Sequence, residues 1–158
     1  FKQKTAYEIS TRDWSSDVCS SDLFDVVPTV PVVLGDDIAA CAEPVRGYCA
    51  LYIGGMGSRE KNFYNALAVR MGYGEAAASV QDLYLSRDYA GAAAAVPLEF
   101  IERTALIGPR GHVIERLHAY AESGVTTLSV AIYVGDLQQR LDTVRSMAEI
   151  LAESGLGQ

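Results

Sequence analysis

From residue 24 onward the apolar positions follow two kinds of spacing, and the switches between them divide the chain. Val26 to Leu34 is a β-branched run that ends in Gly35-Asp36-Asp37, a turn and helix N-cap signal, so a buried strand entering a helix is predicted. Pro28 and Pro31 cannot donate to a sheet ladder, and regular pairing is expected only near Val32 to Leu34. Ile38, Cys41, Ala42, Val45, Tyr48, Cys49, Tyr52 and Ile53 then recur at three and four residues and predict one amphipathic helix, kinked by Pro44 or regular only beyond it. A glycine loop follows, in which Gly54, Gly55 and Gly57 are free to take positive φ. Helical spacing resumes through Phe63, Tyr64, Leu67, Ala68 and Met71, and again from Glu75 to Arg87. An alanine-rich stretch spans 88–95, and a short helix starts at Val96-Pro97.

Thr104 to Ile107 reads as a brief apolar link. Gly108-Pro109 opens a helix through Val113, Ile114, Leu117, Tyr120 and Ala121 that ends at Ser123-Gly124. Val125 to Tyr133 is alternating and β-branched, and helix, glycine, strand in that order is a unit of the kind that stacks into parallel sheets. Residues 136–153 close the chain as a helix with Leu137, Leu141, Val144, Met147, Ala148 and Leu151 expected to face inward. Only two strands are convincing, and two parallel strands do not make a self-sufficient sheet. The expected fold class is therefore α/β, helix-rich and incomplete.

Composition narrows the classes of function. The chain has 158 residues and a net charge of −7, with a pI near 4.7 and no cluster of lysine and arginine, which excludes phosphate-backbone attraction and makes nucleic acid a poor partner. The longest strongly apolar runs, such as Ala92 to Pro97, fall well short of the roughly 20 residues that span a bilayer. Cys19, Cys41 and Cys49 are an odd count without a C-x-x-C pair or a nearby histidine, against a disulfide framework or a zinc site and in keeping with a reducing cytoplasm.

The first 23 residues, FKQKTAYEISTRDWSSDVCSSDL, carry neither helical nor strand periodicity and lack the apolar core of a secretory leader. The string resembles the translated read-through of a sequencing adapter joined to a truncated reading frame. On that reading residues 1–23 are a disordered, non-native tail, Trp14 and Cys19 are not site candidates, and residues 24–158 are the C-terminal portion of a larger domain.

Binding-type chemistry concentrates in residues 54–65. Ser58, Arg59 and Lys61 supply donors for an anion beside a backbone that a ligand can approach closely, whereas the bland alternative is a glycine-terminated helix joint with surface cations. His112 and His118 are the only histidines; six residues apart on a helix, they do not share a face, and exposed or half-buried surface roles suit them better than acid–base work. Gly108-Pro109 at a helix start offers outward amides for a phosphate, less the one that proline lacks.

Two stretches resemble a known family. Residues 105–130, ALIGPRGHVIERLHAYAESGVTTLSV, are similar to the C-terminal signature of luciferase-like monooxygenases, and residues 51–73, LYIGGMGSREKNFYNALAVRMGY, resemble the subgroup dependent on the deazaflavin coenzyme F-420, common in actinobacteria. The resemblance implies the C-terminal part of a (β/α)8 TIM-type barrel, holding its last two strands plus a helical insertion. Val26 to Leu34 would be like the seventh strand, Val125 to Ala131 like the eighth, and the helices of 37–121 the crossover between them. It further implies hydride transfer between F-420 and a small organic substrate, with flavin mononucleotide as the alternative cofactor and a homo-oligomer as the intact state. Gly57, Ser58 and Arg59 are the residues carried as liners of the cofactor pocket; the catalytic residues would lie upstream, and the chain alone is expected to be inactive. A reading from another class is a small acidic helical interaction module without catalysis. Such a module would melt cooperatively as a discrete species, whereas a barrel remnant would expose strand edges and aggregate.

Overall fold

The computed structural model describes residues 25–157, so the expectations for residues 1–23 lie outside the described residues. β1 (Thr29–Leu34) leads into α1 (Ile38–Ala50), which passes directly into a π-helical turn (Leu51–Gly55). Four shorter helices follow: α2 (Phe63–Arg70), α3 (Gly74–Leu85), α4 (Tyr89–Ala94) and α5 (Leu98–Thr104). β2 (Leu106–Gly108), α6 (Arg110–Glu122), β3 (Ser129–Ile132) and α7 (Leu137–Ser154) complete the described chain. Helix starts follow the expected chemistry. The Asp37 carboxylate accepts from the amides of Ala39 and Ala40, and Asp136 and Gln139 form a reciprocal capping box at the head of α7. α1 continues through Pro44, as its apolar stripe requires, although proline removes one backbone donor there.

The sheet has three parallel strands, not two, in the order β2-β1-β3. Residues 104–107, expected as a link, run into β2 at Leu106, and a strand of three residues is too short to show any period. It pairs Val32 with Leu106, Val33 with Ile107 and Leu34 with Gly108. The supposed single crossover of helices between Val26–Leu34 and Val125–Ala131 is therefore interrupted by a strand, even though those two segments are direct neighbours in the sheet. A helix-rich α/β chain with a short all-parallel sheet is consistent with part of a barrel, and within that sheet β1 takes the centre.

β1 is also regular from Thr29, despite Pro31. The carbonyls of Pro28 and Val32 accept from Ser129 and Tyr133, so even-numbered residues of β1 bond towards β3; Gly35 donates to Gly108, so odd-numbered ones bond towards β2. The donor that Pro31 lacks would point towards the β2 side one residue before β2 pairing begins, and no ladder bond is forfeited.

Helices cover both faces of the sheet. Val33 and Ile107 join α1, α3, α4 and α5 in one apolar core that includes Val45, Val80, Val96 and Ile101. Val30, Val32 and Leu106 face α6 and α7 on the other side, with Val113, Leu117, Met147 and Ile150. α7 differs from expectation. Only Met147 and Ile150 are buried, while the stripe of Leu137, Leu141, Val144 and Leu151 faces out. α7 packs on α6, tied there by Arg110 bonding Glu149 and Glu153, and it leaves a groove of about 490 Å³ against β3 lined by Leu117, Leu128, Val130 and Leu151.

Candidate functional site

The stretch 54–65 is assembled in two parts, a buried base and an exposed tip. Gly54 and Gly55 do not form a loop: they end the π-helical turn, and only Gly57 has positive φ, at 139°. Their need for glycine is spatial. A Cβ on Gly54 would lie 2.5 Å from the Cβ of Tyr84 and 3.1 Å from the Val80 carbonyl, and one on Gly55 would meet the Tyr84 ring. α3 can lie against the π-helical turn only because both positions lack a side chain. π-helical turns often accompany functional sites, and they leave carbonyls in unusual directions.

Two side-chain amides take up carbonyls of the turn, and a third holds the tip. The Asn62 side-chain amide donates to Tyr52 O at 3.1 Å and Ile53 O at 2.9 Å, while its oxygen accepts from the Asn65 amide and caps α2. Asn65 donates to Ile53 O and Ala77 O, joining the turn to α3. Gln81 reaches Arg59 O at 3.5 Å. Asn62 and Gln81 are the buried polar residues among those described, both 5% exposed. Sequence reasoning overlooked all three, although an asparagine three residues before another, ahead of an apolar period, is an N-cap signal that marks Asn62.

The tip, residues 56–61, is exposed. Gly57, where a Cβ would lie 2.5 Å from Lys61 O, sets the bend, and the Lys61 amide closes the turn onto Ser58 O. Arg59 bonds the Asp82 carboxylate on α3. Both partners are more than half exposed, so this pair contributes little to stability, yet it occupies the guanidinium expected to meet an anion. Neither the groove beside β3 nor the smaller recess between α1 and α4 includes a residue of the tip.

Next to this loop runs a row of aromatic rings. Tyr133, the residue after β3, lies 5.5 Å from Tyr48; Tyr48 lies 4.5 Å from Tyr52, Tyr52 lies 4.7 Å from Tyr64, and Tyr64 lies 5.4 Å from Phe63 at the head of α2. Burial raises the phenol of Tyr48, helped by its hydrogen bond with Tyr52, and burial likewise raises Tyr133, so both stay neutral hydroxyls. β1 feeds helices on one face of the sheet and β3 feeds α7 on the other. The carboxyl ends of these neighbouring strands are thus a topological switch point, where open parallel sheets hold ligands. Asp36, Asp37 and the segment from Tyr133 to Asp136 border it.

The remaining candidates stay apart. Cys41 and Cys49 are buried on α1, and burial pushes the Cys49 thiol up to about 12, with Arg46 opposing. The sign follows from the proton balance: the folded state holds this proton more tightly than an unfolded thiol near 9, so its contribution is complete below pH 9 and is lost as pH rises towards 12. The urea midpoint of the wild type is therefore expected to fall more steeply than that of Cys49→Ala over that window, and equal slopes would refute it. His112 is half-buried, His118 is exposed and they do not meet. No group of residues suited to a metal ion occurs among the described residues. No helix there is long and apolar enough to cross a membrane.

Residues 14–127 match the family model described as luciferase-like monooxygenase, a stretch that contains the glycine tip, the aromatic residues of α1 and α2, and β1 with β2. The chain belongs to the luciferase-like monooxygenase family. A Mycobacterium tuberculosis protein named as a coenzyme F420-dependent oxidoreductase is 32% identical over 132 residues, which cover 84% of this chain and 36% of that protein. The chain thus spans little more than a third of the length of the relative it matches. No solved structure matches it. The match opens inside the segment 1–23, ahead of the described residues.

Proposed function

We propose that residues 24–158 are the C-terminal portion of a luciferase-like (β/α)8 oxidoreductase that uses coenzyme F-420, moves hydride between it and a small organic substrate, and works in the cytoplasm as a homo-oligomer. The observation that carries this reading is the identity shared with the mycobacterial F420-dependent relative across most of this chain. When bound, the deazaflavin supplies hydride chemistry, which no side chain offers by itself.

The described residues do not make a complete coenzyme site. Arg59 is engaged by Asp82, Glu60 stands beside it, and the exposed tip lines neither the groove beside β3 nor the recess between α1 and α4. A ligand site ordinarily encloses most of its ligand in a cleft of several hundred Å³. In the longer protein Gly57, Ser58 and Arg59 would form one wall of the anion pocket, fixed from below by Asn62, Asn65 and Gln81, and the other walls would come from the part of the family fold that this chain does not span.

Fluorescence titration of the purified chain with F-420 tests the reading. No saturation is expected through the micromolar range, whereas the full-length relative should saturate there. Micromolar binding by the chain alone would defeat the claim that its site is incomplete, and failure of the full-length relative to bind would remove F-420 itself.

A further inference from the structure

We infer that Tyr133, Tyr48, Tyr52 and Tyr64 form a relay that carries an oxidising equivalent from the carboxyl end of β3 to the protein surface. The four rings follow one another at 5.5, 4.5 and 4.7 Å between centroids, with no gap in the row. They come from four places in the chain: the residue after β3, the end of α1, the π-helical turn and the head of α2. Helical periodicity therefore accounts for Tyr48 beside Tyr52 and for nothing further. Core packing does not account for the row either, since Tyr52 and Tyr64 belong to neither apolar core. The other aromatic contacts among the described residues, Tyr73 with Phe100 and Tyr84 with Tyr89, are isolated pairs. Phe63 prolongs the row but has no hydroxyl, so its oxidisable part ends at Tyr64, which is 37% exposed.

A tyrosine can give up one electron with its phenolic proton and recover both from a ring in contact with it. The oxidant is an oxygen-centred radical, such as hydroxyl, that reaches the switch point between β1 and β3; the inference rests on the oxidoreductase reading only for the source of that radical. It takes one electron and one proton from Tyr133 and leaves as water. The Tyr133 phenoxyl is restored by an electron and a proton from Tyr48, Tyr48 by Tyr52, and Tyr52 by Tyr64. The hydrogen bond between Tyr48 and Tyr52 is a direct path for one of these protons. A dissolved thiol then gives Tyr64 one electron and one proton and becomes a thiyl radical, so no residue is consumed. Burial sets the direction. An oxidised phenol must shed its proton, and burial makes Tyr48 and Tyr133 hold theirs. Water reaches Tyr64 and accepts the proton there, so the vacancy settles at the surface.

The test needs no coenzyme, so its outcome is independent of the F-420 titration. A ruthenium polypyridyl photo-oxidant is attached to the whole chain at Leu137→Cys, an exposed position four residues beyond Tyr133, in a Trp14→Phe/Cys19→Ser background; Cys41 and Cys49 are buried and stay unlabelled. After a flash with a sacrificial electron acceptor, a nitroso spin trap marks the radical and peptide mass spectrometry locates it. The adduct is expected mainly on Tyr64. Tyr52→Phe keeps the ring but breaks the relay, and it should lower the Tyr64 adduct several-fold and leave the radical on Tyr48 and Tyr133. Tyr73→Phe, off the row, should change nothing. A Tyr64 adduct that survives Tyr52→Phe overturns the inference. So does an adduct confined to Tyr133, Tyr48 or the Cys49 thiol without that substitution, or oxidised ruthenium that yields no tyrosine adduct at all.

Discussion

Asn62→Ala is expected to destabilise the chain by about 3–5 kcal/mol, a large share of a typical domain stability of roughly 5–15 kcal/mol. The side chain makes three hydrogen bonds from a buried position, two to carbonyls of the π-helical turn and one that caps α2. Each is worth about 1 kcal/mol net, and a buried carbonyl left without a partner costs a further ~1–3 kcal/mol. Ile53 O keeps Asn65 as a second donor at 3.2 Å, so the uncompensated loss falls on Tyr52 O. Asn62→Asp separates the two roles. It retains the oxygen that caps α2 but replaces both amide donors by an acceptor facing two carbonyls, and it is expected to be at least as damaging as alanine. Urea midpoints of the three proteins make the comparison. An aspartate variant as stable as the wild type would show that the cap, worth about 1 kcal/mol, is the only contribution of Asn62.

Gly54→Ala and Gly55→Ala are each expected to cost about 2–3 kcal/mol, although alanine is better than glycine in an exposed helix by about 1 kcal/mol. The two effects oppose each other, and proximity decides which wins. At Gly47, with nothing within 4 Å of a built Cβ, alanine should stabilise the protein. At Gly54 a Cβ meets the Tyr84 Cβ and a backbone carbonyl, neither of which yields unless α3 moves away from the π-helical turn. At Gly55 the obstacle is the Tyr84 ring, with its Cδ1 and Cζ each 3.0 Å away. Tyr84→Ala therefore rescues Gly55→Ala by about 1–2 kcal/mol of coupling but leaves Gly54→Ala unrelieved, because alanine keeps the offending Cβ. Thermal melts of the four single variants and two double variants read the cycle. Equal rescue at both positions would mean that α3 rotates freely over the turn and that the glycines do not fix its approach.

These two experiments concern the part of the site that was hardest to see in the sequence. The glycines drew notice as a flexible, ligand-facing loop, yet two of the three are packing positions and only Gly57 needs a conformation reserved for glycine. The sequence offers Arg59 as an anion donor, but its carboxylate partner is Asp82, 23 residues away in the chain and beyond the reach of any local pattern. Gln81 gives no signal of its own, because a buried amide looks like a surface one until its carbonyl partner is known, and the N-cap pattern that marks Asn62 says nothing of the two carbonyls it holds. The family, by contrast, was legible from two short stretches of residue types in fixed spacing, and the match over residues 14–127 agrees with it.

The sequence by itself determined where helices begin and end, since N-caps, glycine stops and the three-to-four spacing act within a few residues; the apolar stripe of α1, the cap at Asp37 and the helix from Arg110 to Glu122 all stand as expected. It also determined the two longer strands. Only the tertiary structure decided that three residues after α5 form a third strand, that β1 lies between its two neighbours, and that Leu137, Leu141, Val144 and Leu151 face away from the core. The physical reason is the range of the forces concerned. Capping and amphipathic spacing are local, but a strand exists only once a partner backbone accepts and donates beside it, and an apolar face is buried only if something is there to cover it.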